Sequence, residues 1–306
     1  MISYVVGLVA VFVLFSNPIS QLLFPDQAAR QHVSPRPRLN ESLLAIDAPN
    51  ATVPACPADA YTARILHRDP LVVYLEGFLS DEEQRYLIET SGPLFEPSTI
   101  TNDGDETHRD TLVRDSHVAM IPRSDTVRCI ERRSRALQGW PSDLYIERLR
   151  TQKYTAGGHY GYHFDWTANV GGWGRVTSIM AWVDGSDDLR GGGTAFPLIR
   201  KPEGAEAQRE WCKFIECREK GDEQTGDEQT GGEQMGGEQT GGEQPRDKQP
   251  RDEDRGVVFK VVPGNAVYWE NFSPDGRGYD ETWHAGLPVD EGLKVGLNIW
   301  SFGRIQ

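Results

Sequence analysis

The stretch Tyr154-Thr-Ala-Gly-Gly-His-Tyr-Gly-Tyr-His-Phe-Asp-Trp166 begins the glycine-punctuated half of the chain and contains two potential metal ligands, His163 and Asp165. On a β-strand alternate side chains share a face, so a histidine and an aspartate two residues apart can bind one metal ion. Two histidines and one carboxylate on one face of a metal leave its other face open, as in non-haem iron sites. The stretch therefore predicts a β-strand that carries part of such a site.

The tripeptide His-x-Asp decides nothing by itself, because it occurs three times, at 67–69, 108–110 and 163–165. The first copy runs into Pro70, which indicates that Asp69 begins a turn. The second lies in the polar stretch 101–115. We predict that the first two copies are surface residues and that only the third binds metal.

The third ligand must come from another strand, and His284 is the only histidine after His163. Ten residues later Lys294 interrupts the apolar run 293–300, LKVGLNIW. A lysine in such a run points into a core or pocket, where burial is costly without an anionic partner. The alternative is an edge strand on which Lys294 faces solvent.

Short β-rich runs separated by glycine predict many strands in the second half of the chain. They are Tyr145–Tyr154, Tyr160–Trp166, Val176–Val183, Phe196–Ile199, Val257–Val262, Ala266–Trp269 and Val295–Phe302. Before them, Leu71–Phe78 predicts a strand, Ser80–Glu83 a capping box that starts a helix, and Val127–Leu137 a second helix. The predicted fold is mainly β with flanking helices, a double-stranded β-helix (jelly roll) core with an N-terminal α/β support.

The charge of the chain is unevenly distributed. It has 46 acidic and 32 basic residues among 306, a net charge of -14. Residues 221–250 form six pentads, GDEQT GDEQT GGEQM GGEQT GGEQP RDKQP, with eight acidic and two basic residues. Such a segment cannot bury enough apolar surface to fold, so we predict a disordered insert at about 219–255. The acidic composition argues against a nucleic-acid partner.

The N-terminus predicts targeting to a membrane or the secretory pathway. Residues 1–25 carry no charged side chain, which indicates a signal anchor or a signal peptide. Residues 26–64 have the composition of a stalk or linker, and 65–306 would form the folded domain. Arginines 30, 36 and 38 follow the apolar run, which by the positive-inside rule conflicts with a lumenal domain.

Other features favour the endoplasmic reticulum membrane with a lumenal domain, or secretion after cleavage as the alternative. N-glycosylation sequons begin at Asn40, Asn50 and Asn271. Four cysteines allow three disulfide pairings, of which we expect Cys56–Cys129 and Cys212–Cys217. The alternative is four buried thiols.

From about Val72 to Phe302 the chain resembles the catalytic domain of the prolyl 4-hydroxylase family of 2-oxoglutarate- and iron-dependent dioxygenases. The resemblance rests on the order of short motifs. They are VVYLEGFLSDEEQRYLI from Val72, Tyr154-x-x-Gly-Gly-His-Tyr, His163-Phe-Asp165, Arg175-Val-Thr, Gly191-Gly-Gly-Thr194-Ala-Phe-Pro197, Pro263-Gly264-Asn-Ala, His284-Ala-Gly-x-Pro288-Val, Gly292-x-Lys294 and Asn298-x-Trp300.

The resemblance implies a role for each matching position. His163, Asp165 and His284 would ligate Fe(II), and Lys294 would pair with the far carboxylate of 2-oxoglutarate. The implied co-substrate ligands also include Tyr154 and Thr194, while Arg175 matches a position associated with the peptide substrate. The chain departs from the family at Gly193, where a glutamate usually precedes the threonine, and in the insertion 203–255.

The implied reaction is hydroxylation of peptidyl proline with release of succinate and CO2. Its cofactors and co-substrates would be Fe(II), 2-oxoglutarate, dioxygen and ascorbate, and its partner a proline-containing peptide or protein. The separate peptide-binding region of animal collagen hydroxylases has no counterpart, so no collagen-type partner subunit is expected. Two alternatives remain: an oxygenase that acts on another side chain or a small molecule, and a catalytically inactive jelly-roll binding protein.

Overall fold

The structure is a computed structural model that describes residues 41–101, 107–167, 172–217 and 256–305. The predicted targeting run, the first part of the predicted stalk and the whole acidic insert 219–255 lie outside the described residues. The described ranges contain three α-helices: α1 Asp81–Ser91, α2 Asp125–Leu137 and α3 Ala205–Trp211. Within the described ranges no helix combines the length and apolar character needed to cross a membrane.

Most of the regular structure is β, as the sequence predicts. In chain order the strands are β1 Thr62–Arg68, β2 Leu71–Glu76, β3 Glu96–Pro97, β4 Ile100–Thr101, β5 Thr107–His108, β6 Arg114–Asp115, β7 His117–Met120, β8 Tyr145–Ile146, β9 Arg150–Thr155, β10 His159–His163, β11 Trp173–Gly185, β12 Arg190–Gly191, β13 Thr194–Phe196, β14 Val257–Phe259, β15 Ala266–Glu270, β16 His284–Gly286, β17 Val289–Glu291 and β18 Leu293–Arg304. Short 3₁₀ turns occupy Glu41–Leu43, Gly92–Leu94 and Asp280–Thr282.

Two antiparallel sheets form the jelly roll. The major sheet has the order β1-β2-β15-β11-β18-β9-β7-β3, with β8 also paired to β18. The minor sheet has the order β14-β13-β16-β10-β6. The pairs β12–β17 and β4–β5 form separate two-stranded ribbons. This architecture confirms the predicted fold class.

The central strands β15, β11 and β18 of the major sheet are mostly buried on both faces, and alternation along them separates two cores. Along β18, Val295, Leu297 and Ile299 join the apolar cluster that contains the α1 and α2 residues Leu87 and Ile130. The opposite face packs toward the minor sheet, where a second cluster includes Trp182, Phe196, Phe259 and Trp269. The sheets are therefore held together by aromatic side chains next to the space that Lys294 enters.

Helix α1 begins as predicted. The Ser80 hydroxyl accepts from the Glu83 N–H, and the Glu83 carboxylate accepts from the Ser80 N–H, a complete capping box. Glu83 also accepts two hydrogen bonds from Arg133 of α2, at 2.8 and 2.9 Å. Both side chains are 6% exposed, so the helices are joined by a buried, bidentate ion pair.

The predicted strand Tyr145–Tyr154 is interrupted, which corrects the sequence analysis. The Glu147 N–H donates to the Trp300 carbonyl, whereas the next N–H, of Arg148, donates to the Leu43 carbonyl. The chain thus changes partners between β8 and β9. The sequence gives no sign of this break, because the second partner lies a hundred residues away in the predicted stalk.

Part of the predicted stalk packs on the domain. Leu44 is buried and forms a β-bridge with Glu147, and Cys56 is joined to Cys129 of α2. The second disulfide joins Cys212 to Cys217. Both predicted pairings are present, and no described cysteine is free.

The described residues on the two sides of the acidic insert are joined by backbone hydrogen bonds. Just before the insert, Ile215 forms a β-bridge with Phe259, and the Glu216 N–H donates to the Val258 carbonyl. Both partners belong to β14, which follows the insert directly. The described residues on the two sides of the insert are therefore adjacent.

Of the predicted glycosylation sites, Asn50 is exposed and Asn40 lies outside the described residues. Asn271 is fully buried, and its Nδ2 donates to the Arg175 carbonyl and the Ser178 hydroxyl. Its amide nitrogen is therefore inaccessible to a glycosyltransferase in the folded domain, which corrects the prediction at this sequon.

We expect the two disulfides to contribute unequally to stability. The sequence separation is 73 for Cys56–Cys129 and 5 for Cys212–Cys217. Chain entropy then gives about 4 kcal/mol for the first and about 2 kcal/mol for the second. Urea unfolding should show a larger loss for C56S/C129S than for C212S/C217S. Equal losses would contradict the loop-closure explanation.

Candidate metal centre

The structure brings His163, Asp165 and His284 together. His163 ends β10 and lies directly opposite His284 of β16 across the minor sheet. The Oδ1 atom of Asp165 lies 3.6 Å from His163 Nε2 and 4.0 Å from His284 Nε2. The three ligand atoms all lie within 4.8 Å of one another, so one cation can contact all of them.

Asp165 reaches the site differently from the prediction. Strand β10 ends at His163, so Asp165 lies in the bend that follows rather than on the predicted strand Tyr160–Trp166. Strand alternation alone therefore does not explain how the His-x-Asp tripeptide presents both ligands. The correction concerns the backbone, and the side chains still converge.

The backbone orients both imidazoles for metal binding. His163 Nδ1 lies 2.8 Å from the Gly161 carbonyl, and His284 Nδ1 lies 2.9 Å from the Thr282 carbonyl. With Nδ1 protonated, each ring donates to that carbonyl and presents the Nε2 lone pair to the site. This outer hydrogen bond fixes both the tautomer and the ring orientation.

An indole donor orients the carboxylate. Trp300 Nε1 donates to Asp165 Oδ2 at 2.9 Å, which leaves Oδ1 directed at the two histidines. Burial acts to raise the pKa of Asp165, but hydrogen bonding to His163 and the charges around it lower that pKa on balance. Burial lowers the pKa of His284 to about 4. At neutral pH the site therefore offers an anion and a neutral imidazole.

This donor set fits Fe(II). Two imidazole nitrogens and one carboxylate oxygen are the ligands of non-haem iron sites. The donors lie on one side of the enclosed space, and their second atoms are engaged by Gly161, Thr282 and Trp300. Elsewhere in the described ranges no comparable group of metal ligands occurs.

A pocket adjoins the three ligands, and Lys294 lies inside it. Its side chain comes from β18, opposite Tyr154 of β9, and is 1% exposed. The Nζ atom donates to the Gly192 carbonyl and lies 4.7 Å from the centre of the Tyr154 ring. Burial lowers the pKa of Lys294 to about 7. Among the described residues no carboxylate offsets this burial, so the pocket suits an anionic ligand.

Tyr154 and Thr194 also line this pocket, and each is 4% exposed. Burial raises the pKa of Tyr154, which therefore stays a neutral hydrogen-bonding phenol. These are the positions that the resemblance assigns to the co-substrate. The structure places them beside Lys294, and their contacts with the co-substrate stay a prediction.

The sequence analysis missed several lining residues: Gln152, Tyr160, Met180, Trp269, Gly286 and Asn298. Gln152 is 1% exposed, and its Nε2 has no hydrogen-bond partner among the described residues. It precedes Tyr154 by two residues on β9, so strand alternation could have identified it.

Arg175 forms a bidentate ion pair with Glu147. Its Nε and Nη2 donate to the two carboxylate oxygens of Glu147 at 2.5 and 2.9 Å. Its Cζ lies 3.8 Å from the centre of the Trp300 ring, whose indole N–H holds Asp165. Arg175 thus lies next to the metal ligands, and its contact with a peptide stays a prediction.

Glycine is required in the loop before Thr194. At Gly193 an added Cβ would lie 2.8 Å from Val258 Cγ1 and 3.0 Å from the Phe259 carbonyl oxygen. Glu216 Oε1 lies 3.5 Å from the same position. The departure from the family at Gly193 is thus accompanied by close packing of β14, with a carboxylate from another part of the chain nearby.

The other two His-x-Asp tripeptides form no metal site. His67 is half-buried and its Nδ1 lies 2.9 Å from the Pro70 carbonyl, while Asp69 lies in a turn and accepts a hydrogen bond from the Tyr279 hydroxyl. His108 is exposed on β5. The prediction of surface positions is therefore correct for Asp69 and His108 and only partly correct for His67.

No protein-family model matches the sequence. Curated relatives include probable prolyl 4-hydroxylase 10 of Arabidopsis thaliana, 29% identical over 165 residues, or 51% of this chain and 55% of that protein. They also include prolyl 4-hydroxylase subunit alpha-3 of Rattus norvegicus, 22% identical over 77% of this chain and 34% of that protein. The matches span about half of the first relative's length and about a third of the second's.

These relatives confirm the predicted resemblance to the prolyl 4-hydroxylases, which are 2-oxoglutarate-dependent dioxygenases. Solved structures that resemble the chain include the viral collagen prolyl hydroxylase of Paramecium bursaria Chlorella virus-1 in its 2OG complex, with a TM-score of 0.46 and 17% identity, covering 76% of this chain and 96% of that one. Another is a Pseudomonas putida prolyl-4-hydroxylase, with a TM-score of 0.42 and 14% identity, covering 76% and 92%.

We expect Trp300→Phe to weaken metal binding while the fold persists. Phenylalanine keeps most of the apolar volume but cannot donate to Asp165 Oδ2. Loss of such an outer hydrogen bond costs about 10- to 100-fold in metal affinity. Titration of the metal-free protein with Fe(II) under anaerobic conditions measures the change. Trp211→Phe, at a buried tryptophan away from the metal ligands, is the matched control, and an equal loss there would contradict the assignment.

Lys294→Met tests the buried cation. Binding of 2-oxoglutarate to the Mn(II)-loaded protein should fall by about 10- to 100-fold, because a charge-assisted hydrogen bond is lost. Isothermal titration measures this change, with Lys260→Met, at an exposed lysine, as the control of equal charge.

The same variant should change how stability depends on pH. The folded pKa of Lys294, about 7, lies below its ordinary value of 10.5, so the unfolded chain binds more protons between these values. The free energy of unfolding of the ligand-free wild type should therefore rise from pH 7 toward pH 10. Measured by urea unfolding, the free energy of unfolding of Lys294→Met should rise less between pH 7 and pH 10 than that of the wild type. An identical rise in both proteins would contradict the lowered pKa of Lys294.

Proposed function

We propose that this chain, a prolyl 4-hydroxylase-like relative of the 2-oxoglutarate- and Fe(II)-dependent oxygenases, hydroxylates proline residues in peptides or proteins. The observation that carries the proposal is the convergence of His163, Asp165 and His284 next to the buried cation of Lys294. The balanced reaction joins peptidyl proline, 2-oxoglutarate and O2 to give hydroxyproline, succinate and CO2. The names of the sequence relatives support the choice of proline.

His163, Asp165 and His284 would hold Fe(II) through Nε2, Oδ1 and Nε2. Bound Fe(II) supplies the activation of dioxygen, coupled to oxidative decarboxylation of 2-oxoglutarate. The chain contributes preorganisation, because Gly161, Thr282 and Trp300 already fix the three donors. Little reorganisation is then needed when the metal enters.

Lys294 would pair with the far carboxylate of 2-oxoglutarate, with Thr194 and Tyr154 as neutral hydrogen-bond partners. When the dicarboxylate binds, its far carboxylate places a negative charge next to the Lys294 ammonium, and this raises the pKa of Lys294 toward the ordinary value. Because the group is 1% exposed, water does not compete for this pair. The lysine would therefore position the co-substrate.

The remaining expectations are part of this proposal. Ascorbate would maintain Fe(II), and no collagen-type subunit would be required. We place the domain in the lumen of the endoplasmic reticulum, attached through the N-terminal apolar run, with secretion after cleavage as the alternative. The two disulfides support an oxidising compartment.

The test is an assay with Fe(II), 2-oxoglutarate, ascorbate and a library of proline-containing peptides. We expect succinate and a peptide product heavier by one oxygen, located on proline by fragmentation. His163→Ala should abolish both products because it removes a metal donor. His108→Ala, which alters a His-x-Asp tripeptide outside the site, should retain wild-type turnover.

Other outcomes would contradict the proposal in distinct ways. Oxygen located on a residue other than proline would indicate a different side-chain hydroxylase. Succinate formed without any peptide product, and increased by a small molecule, would indicate a small-molecule oxygenase. Metal binding with no succinate under any condition would indicate an inactive binding protein.

A further inference from the structure

Two arginines beside the metal centre share one carboxylate. Arg175 and Arg150 approach the Trp300 ring, with their Cζ atoms 3.8 and 5.1 Å from its centre. Glu147 binds Arg175 through two short hydrogen bonds and reaches Arg150 Nη2 only at 3.7 Å. The carboxylate is thus committed to Arg175, and Arg150 keeps most of its charge uncompensated.

A third guanidinium, of Arg114, approaches from the minor sheet. Its Cζ lies 4.6 Å from the centre of the Tyr160 ring, and that ring stacks on His163 at 3.7 Å between centres. Its Nε donates to the Ser116 hydroxyl, a neutral partner. Arg114, Arg150 and Arg175, here called the arginine cluster, carry three positive charges, and the carboxylates that act on them are Glu147 and, at Arg175, the metal ligand Asp165.

Arg150 continues the row of pocket residues along β9 at its outer end, although no side chain of the arginine cluster lines the pocket itself. Along β9, alternation places Tyr154, Gln152 and Arg150 on the face that lines it, opposite Lys294, Gly296 and Asn298. Exposure increases in the same direction, from 1% at Lys294 and at Gln152 to 25% for the Arg150 side chain and 31% for the Arg175 side chain. A co-substrate held at Lys294 leaves this outer end for the substrate.

Two donors of the arginine cluster lack an acceptor. Arg114 Nη2 and Arg150 Nε are buried and have no hydrogen-bond partner among the described residues. Burial lowers the pKa of Arg150, and the charges of Arg175 and Arg114 lower it further, whereas Glu147 raises it. The exposed Asp115 is paired with Arg109 at 3.4 Å, and Asp165 is directed at the metal ligands. The arginine cluster is therefore suited to bind an anionic group.

We infer that the arginine cluster selects proline peptides that carry a glutamate or aspartate close to the hydroxylated proline. This inference rests on the proposed function, because it names the substrate class of the same site. The Arg150 Cζ lies 5.1 Å from the centre of the Trp300 ring, and the Nε1 of that ring lies 2.9 Å from Oδ2 of the metal ligand Asp165. An extended peptide advances about 3.3 Å per residue, so the separation of the metal ligands from Arg150 corresponds to about two or three residues. The chain has a net charge of -14, so the attraction must be local rather than a property of the whole protein.

The experiment compares three peptides of equal length with one proline and with Glu, Gln or Lys placed two residues before and after it. We expect kcat/KM for the Glu peptide to exceed that for the Gln peptide about tenfold, and the Lys peptide to be poorest. The ratio should shrink as NaCl rises from low to high concentration. Arg150→Gln should reduce the ratio, and Arg150→Glu should reverse the ranking.

Arg150 is the residue to vary because it makes no short ion pair that its loss would break. Arg209→Gln, at an exposed position on α3, is the control of equal charge and should keep the wild-type ratio. Comparing peptides within one variant separates selectivity from a general loss of folding. Succinate formation with the Gln peptide monitors the metal centre.

The outcomes separate the two proposals. Equal kcat/KM for the three peptides, with proline hydroxylated in each, would overturn the role of the arginine cluster and leave the proposed function standing. Hydroxylation of none would overturn the proposed function. In that case fluorescence anisotropy with the same three labelled peptides still tests the cluster, since equal binding would overturn it.

Discussion

The alternation of side chains along β18 is the constraint on which the candidate site depends. This strand lies inside the major sheet between β11 and β9, so both of its faces are buried. One face supplies Val295, Leu297 and Ile299 to the core under the helices. The other must therefore deliver Lys294 into the interior, where a shift of the register by one residue would exchange the ammonium for a core side chain.

Chemistry is divided between the two sheets. The minor sheet and the bend after β10 carry the three metal-binding side chains, while the major sheet carries Lys294 and Trp300. Trp300 connects the halves through its hydrogen bond to Asp165. The distance between the three candidate metal ligands and Lys294 is consequently set by the packing of the sheets, which aromatic residues such as Phe196 and Trp269 hold together.

The sequence alone predicted the features that depend on local pattern or on the identity of a rare residue. The jelly-roll class and the capping box at Ser80 follow from short-range rules, His284 followed from the scarcity of histidine, and the two disulfides were one expected pairing among three. The break between β8 and β9 and the arginine cluster did not. They depend on which strands become neighbours: Arg114, Arg150 and Arg175 lie on three different strands whose register a single sequence does not encode.

The residues on the two sides of the acidic insert are paired with each other, and this pairing affects how freely the insert can vary in length. Because Ile215 and Glu216 are paired with β14, the insert has to connect two points of the chain that lie close together. For such a closed loop, doubling the length costs only about 0.6 kcal/mol in closure entropy. Pentads can therefore be added to or removed from such a loop at little cost, and we expect the positions of Thr194 and Lys294 not to depend on its length.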